Sequence, residues 1–393
     1  MKDKKISILQ ILIIIMLIAI ATTIVVLAVS NNWTQETEPE EIATVNETKT
    51  ESGTFSKNSN KQLETAEGIT IVPTMSDTIT TDSSWCGTFQ LVWNDMKNEV
   101  VKKDIEFSPQ LEMVENLNKE EFTEDMISED YYYKNYGLKT LELKEEIEQG
   151  IKEKFEQTSD ILDNFDWSED AINDPDNYDL NRYFFYAMLY REFKFLNEFD
   201  ELDNDKFGDE YDDVEYFGID SITNEFVGNQ IKVLYYNSQD DFAIIINTKN
   251  NDEVIFCENP EGSTFNEIYE NMNNKADKYN GKTQFGDIDK FKAPKLKFDE
   301  EKEYKELQGK EFYTADGVGE IEQAIQTIQF ELDEKGGKIK SEAAISTKTM
   351  GIEPKKEEPR YFYVDDTFAL FLREKGRDLP YFATRIEDIS KVQ

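Results

Sequence analysis

The sequence predicts an α+β fold, and three observations predict it. Helical spacing of apolar residues is concentrated in the first half of the chain and strand-like alternation in the second, without the regular interleaving that would build a parallel doubly wound sheet. Hydrophobic residues make up 38% of the 393 positions and aromatics 12%, enough for a sizeable core. The length suits two or three domains or one large unit.

Met1 to Lys5 carries three lysines, and Ile6 to Val29 follows without a charge. As a helix this run would reach roughly 36 Å, enough to cross a membrane with some tilt. Residues 6–30 are therefore expected to be a transmembrane anchor, with 1–5 a cytoplasmic tail and the remainder exported to the cell surface. A cleavable signal peptide ending near Ala28-Val29-Ser30 is the competing reading. Residues 31–82, rich in Thr, Glu, Ser and Asn, read as a flexible stalk, and the folded part is expected over 83–393.

Within it, CGTFQLVWNDM (Cys86 to Met96) and LKEEIEQGIKEKFEQTSDIL (Leu143 to Leu162) have helical spacing. Strands are expected at Gln230 to Tyr236, Asp241 to Thr248, Asp252 to Cys257, Pro294 to Asp299, Tyr361 to Asp366 and Phe368 to Glu374. The acidic run from Asn197 to Glu215 reads as an exposed loop. Its Asp203-Asn204-Asp205 start is similar to an EF-hand loop, but Phe207 and Val214 occupy ligand positions, so no metal site is expected there.

The formal charge of −40 argues against nucleic acid and anionic lipid surfaces as partners. No His is present, which removes imidazole from acid-base, nucleophile-activating and metal-binding roles. None of the phosphate-binding glycine motifs or serine-nucleophile motifs occurs. The chain is accordingly read as no enzyme, with no cofactor and no metal; a carboxylate-based hydrolase would need a cleft that the sequence does not locate. Cys86 and Cys257 could be bridged on an exported domain or be two buried small hydrophobes.

Several segments in order along the chain resemble the serpins, a family of peptidase inhibitors. QTIQFELDEKGG (Gln326 to Gly337) resembles the strand entering the serpin reactive-loop hinge, and FYVDDTFALFLREKGRDLPYFATRI (Phe362 to Ile386) the family's closing segment. FKAPKLKFD (Phe291 to Asp299) is similar to its proline strand. YREFKFLNEFD (Tyr190 to Asp200) keeps a further signature, with Phe195 for its tryptophan, and IKEKFEQTSDIL matches the helix before it loosely. The resemblance spans roughly Tyr131 to Lys391. It implies a large central β-sheet, two smaller sheets, a helical N-terminal half and an exposed reactive-centre loop. Departures accompany it. Ala187 and Gln326 stand where the family keeps Asn and His to lock the sheet, the hinge runs Gly337-Lys338-Ile339-Lys340 in place of threonine and alanines, and the family's first helix has no counterpart.

What the resemblance implies can be tested against the loop's own pattern. An inserted strand must alternate, because every second side chain faces the interior. From Glu334, the set Gly337, Ile339, Ser341, Ala343, Ile345 and Thr347 shares one face and carries no charge, whereas Lys338, Lys340, Glu342 and Lys348 share the other. An ordinary half-exposed strand has the same period. The roles implied are hinge for Glu334, Lys335, Gly336 and Gly337, and inserting strand for Ile339, Ser341, Ala343 and Ile345. The scissile bond would fall at Met350-Gly351, at Pro354-Lys355 if four residues are inserted, or after Lys348 for a trypsin-like enzyme. The function expected is a surface-tethered trap for an extracellular serine or cysteine peptidase, the alternative a non-inhibitory extracellular binding module of the same fold.

Overall fold

In a computed structural model of the chain the described residues are 68–167, 180–220, 225–314, 317–321, 324–337 and 358–393. The expected tail and anchor (1–30), most of the stalk, the inserting strand and all scissile candidates lie outside them. Among the described residues no helix is long and apolar enough to cross a membrane.

Residues 68–82, expected as stalk, belong to the fold: β1 (Thr70–Ile71) pairs in parallel with β2 (Ser83–Cys86), and Ile69, Ile71, Val72 and Met75 are buried. Their hydroxyl-rich neighbours hid this, because Thr and Ser suit a packed strand as well as a solvated tether. The first helix, α1 (Thr88–Asp95), starts two residues after Cys86, which ends β2 opposite Phe382. It buries Phe89, Leu91 and Trp93 and runs into one π turn, Met96–Val101. A short α2 (Glu112–Leu117) and β3 (Tyr132–Leu138) follow.

Helix α3 (Leu141–Phe155) buries Leu143, Ile147 and Ile151, four residues apart, and the Thr140 hydroxyl accepts from the Leu143 amide as its N-cap. It stops well before Leu162 because Glu156 takes a left-handed φ of 56°. Next come β4 (Leu180–Leu189), β5 (Phe193–Lys194), β6 (Asp200–Phe207) and β7 (Tyr211–Ile219). The last two correct the expected acidic loop. They form a hairpin whose Phe207, Val214 and Tyr216 are buried, and the charges ride its outer face and edge. Lysines from a neighbouring strand region neutralise part of that face: Lys292 Nζ lies 2.8 Å from Asp205 and Lys295 Nζ 3.0 Å from Glu201.

Strands β8 (Ile231–Ser238), β9 (Asp241–Asn247) and β10 (Asp252–Glu258) fall where the sequence places them, followed by α4 (Phe265–Lys278). The single expected strand at Pro294 to Asp299 is two, β11 (Lys290–Pro294) and β12 (Leu296–Glu303), in different sheets. The chain then forms β13 (Lys310–Thr314), β14 (Gly317–Ile321), β15 (Ile325–Asp333), β16 (Gly336–Gly337), β17 (Tyr361–Tyr363), β18 (Phe368–Glu374) and β19 (Phe382–Ile386).

The architecture is α+β, and its N-terminal half is only partly helical. The widest sheet has seven strands, β1-β2-β19-β18-β10-β9-β8, and its β9, β10 and β18 are nearly continuous runs of buried apolar residues. A four-stranded sheet, β17-β11-β7-β6, packs on it through aromatic contacts such as Phe256 with Phe291. Two more four-stranded sheets, β12-β15-β16-β5 and β13-β14-β4-β3, face each other across the gap described next. Cys86 and Cys257 are both free and buried, so the bridged alternative does not hold.

Candidate functional site

The gap arises from what β4 and β15 do not pair with. β15 pairs with β12 from Ile325 to Leu332, yet among the described residues its other edge has a strand partner only at Leu332 and Asp333, in β16. β4 pairs with β3 from Tyr183 to Leu189, yet among the described residues its other edge has a strand partner only at Leu180, Asn181 and Arg182, in β14. Between these two edges lies a slot of about 880 Å³. Its walls are Tyr183 to Leu189 and Ile325 to Glu331. Gly337 and Phe193 close one end, Glu320 and Ile321 the other, and Phe89, Trp93 and Met96 line its interior.

The walls have a defined inner side. On β4, Phe184 and Tyr186 pack with Leu143, Ile147 and Ile151 of α3, so Tyr183 and Phe185 turn the opposite way, to the cluster of Phe89 and Trp93. On β15, Gln326 and Ile328 are buried while Thr327 and Gln329 are exposed. The two positions that depart from the serpin pattern thus occupy opposite walls, Ala187 on β4 and Gln326 on β15. Gln326 is fully engaged: its amide donates to the Cys86 carbonyl (3.1 Å) and Thr88 Oγ1 (3.3 Å), and its oxygen accepts from the Tyr304 hydroxyl (2.8 Å).

The residues expected as a hinge form a tight turn at the slot's upper end. Asp333 Oδ1 accepts from the amides of Lys335 (2.8 Å) and Gly336 (3.2 Å), and the amides of Phe199 and Phe195 donate to the carbonyls of Glu334 and Lys335. Gly336 has φ +134°, where an added Cβ would stand 2.5 Å from the Phe193 carbonyl oxygen. At Gly337 a Cβ would meet the Phe193 ring at 2.6 Å. The turn reverses the chain so that β16 starts down between the two halves: Gly336 and Gly337 pair with Lys194 and Phe193 on one side, and with Asp333 and Leu332 on the other.

Glu334 is buried at 7% exposure, with Lys295 Nζ at 2.9 Å and Lys335 Nζ at 3.1 Å. Burial opposes its charge, but the two ammonium groups outweigh that and hold the carboxyl below its usual value of 4.5. A carboxyl depressed in the fold stabilises it fully above pH 4.5 and loses that contribution as pH falls through the lowered value. Acid unfolding of Glu334→Gln, followed by circular dichroism, is therefore expected to depend less on pH below about 4.5 than that of the wild type; identical profiles would show that the turn's carboxylate is not linked to folding.

The far end of the loop is anchored by a residue that the sequence reading passed over. Arg360 donates through Nε and Nη2 to Asp289 Oδ2 (3.2 and 2.6 Å), and through its guanidinium to the carbonyls of Lys282 and Gln284. Arg191 grips Asp252 and Arg373 grips Glu253 in the same two-nitrogen manner. Tyr381 completes the first of these by donating to Asp252 Oδ1 at 3.0 Å. A signal was present: the chain has only six Arg, and choosing arginine over lysine marks places where a planar fork must fix a carboxylate.

No family model and no curated protein matches the chain. Solved structures similar to it include Serpin48 from the insect Tenebrio molitor (14% identity, TM-score 0.37, 65% of this chain and 75% of that one). Human thyroxine-binding globulin complexed with thyroxine is another (13%, TM-score 0.42, 77% and 91%), as is the thermophilic serpin tengpin in its native state (12%, TM-score 0.47, 80% and 90%). At such identities none of these likenesses carries a ligand or a target over to this chain.

Proposed function

We propose that this chain is a serpin-like trap, tethered at the cell surface, for an extracellular serine or cysteine peptidase. The slot would receive the strand that follows Gly337 once the loop is cut. One observation carries the reading: β16 is paired on both edges in the register that an inserted strand would continue. Extending it antiparallel along β4 sets Ser341 opposite Leu189, Ala343 opposite Ala187 and Ile345 opposite Phe185. Along β15 it sets Ile339, Ser341 and Ala343 opposite Phe330, Ile328 and Gln326. The uncharged set of the loop then faces the inner side of both walls, and Lys340 and Glu342 fall beside the exposed Gln329 and Thr327.

In this reading Glu334 to Gly337 act as hinge, Lys338 to Ser346 as inserting strand, and the region of Met350 or Lys348 as bait. No residue is catalytic. The single N-terminal helix would tether the domain. Incubation with a panel of serine and cysteine peptidases is expected to give, for at least one, a complex that survives SDS. Enzymes that all digest the loop and depart would leave a binding module and remove the trap.

A further inference from the structure

We propose that β14 acts as a brake on strand insertion, covering the part of the slot-facing edge of β4 that complete insertion requires; this rests on the trap reading above. β14 lies parallel to β4 with Val318, Gly319 and Glu320 opposite Leu180, Asn181 and Arg182. The register set by Gly337 and Phe193 brings Thr347 opposite Tyr183, the last position on that edge without a strand partner among the described residues. Lys348, Thr349 and Met350 would then need Arg182, Asn181 and Leu180, the residues that β14 already holds.

The brake is firmly hung but lightly applied. Its partner β13 pairs with it over the full length of both strands, and Phe312 and Ile321 are buried with Phe89 and Trp93. The Phe312 ring lies against Gly319, where a Cβ would stand 2.5 Å from it. Among the described residues its hold on β4 spans three residue pairs. An incoming strand replaces those pairs one for one, so exchange has little net driving force and depends on the hairpin swinging away. Insertion therefore proceeds in two stages. The open slot fills to Thr347, and the last residues before the Met350 bait enter only once β14 has left Leu180 to Arg182.

Amide hydrogen exchange on the full chain, before and after the loop is cut, tests this without a variant. Protection of those amides among Val318 to Glu320 that point to β4 and not to β13 is expected to fall at least tenfold after cutting, as the melting temperature rises. Val318→Pro, which weakens β14, is expected to shorten the time course of that rise about tenfold. A melting temperature that rises while those amides stay protected overturns the brake and leaves the trap intact. A melting temperature that does not rise removes both. If Val318→Pro does not fold, exchange on the wild type decides.

Discussion

Cutting the chain once between Gly337 and Arg360 is expected to raise its melting temperature by on the order of 20 °C. Among the described residues no strand pairs with the slot-facing edge of β4 from Tyr183 to Leu189 or of β15 from Ile325 to Phe330, and an inserted strand would pair with both. At about 1 kcal/mol net for each backbone hydrogen bond, a strand from Lys338 to Thr347 gains on the order of 10 kcal/mol, before the apolar contacts of Ile339 and Ile345 are added. For domains of 150 to 250 residues, about 1 kcal/mol moves the midpoint by roughly 2 to 4 °C, and a larger unit moves less. In the uncut chain the far end of the loop is held at Arg360 by Asp289 and by two carbonyls, and cutting frees the strand from that anchor. Limited digestion with a nonspecific protease followed by calorimetry reads the result. A nicked chain that melts at or below the intact temperature would mean that the slot is an ordinary cleft.

Much of the fold could be read from the chain before its geometry was known, and the failures share a physical cause. β9, β10 and β18 were located almost residue by residue because a strand buried on both faces must be a nearly unbroken apolar run bounded by polar residues. The β6–β7 hairpin was missed because its pairing energy sits in the backbone and in Phe207, Val214 and Tyr216, while the abundant carboxylates that dominate its composition face outward. Composition reports the outer face of an edge strand and says little about its backbone. The start of α1 was placed early because Cys86 satisfies the period of both a helix and the preceding strand, and only its pairing with Phe382 separates them. The tight turn over Asp333 to Gly337 lies where the resemblance places a hinge, and its Gly336 holds a φ of +134° that glycine alone adopts readily. The slot was not legible, because among the described residues it is a missing pairing between β4 and β15, and no single residue encodes a missing pairing.

Ala343→Glu is expected to remove most of the thermal gain on cutting while leaving the intact chain's midpoint unchanged. The register that runs from Gly337 would set Ala343 between Ala187 and Gln326 on the slot's inner side. Gln326 has no donor to spare, since its amide already serves the Cys86 carbonyl and Thr88, so a carboxylate arriving there is buried without a partner. Such a group costs several kcal/mol, more than half of what the backbone pairing supplies. Glu342→Ala provides the control: its side chain belongs to the opposite face, beside the exposed Thr327, and its loss should leave the gain in place. The pair of variants also reads the register itself. If Ala343→Glu keeps the gain and a new charge at Ala344 abolishes it, the strand enters one residue out of step, every side chain changes face, and the assignment of Ile339, Ser341, Ala343 and Ile345 to the interior is wrong.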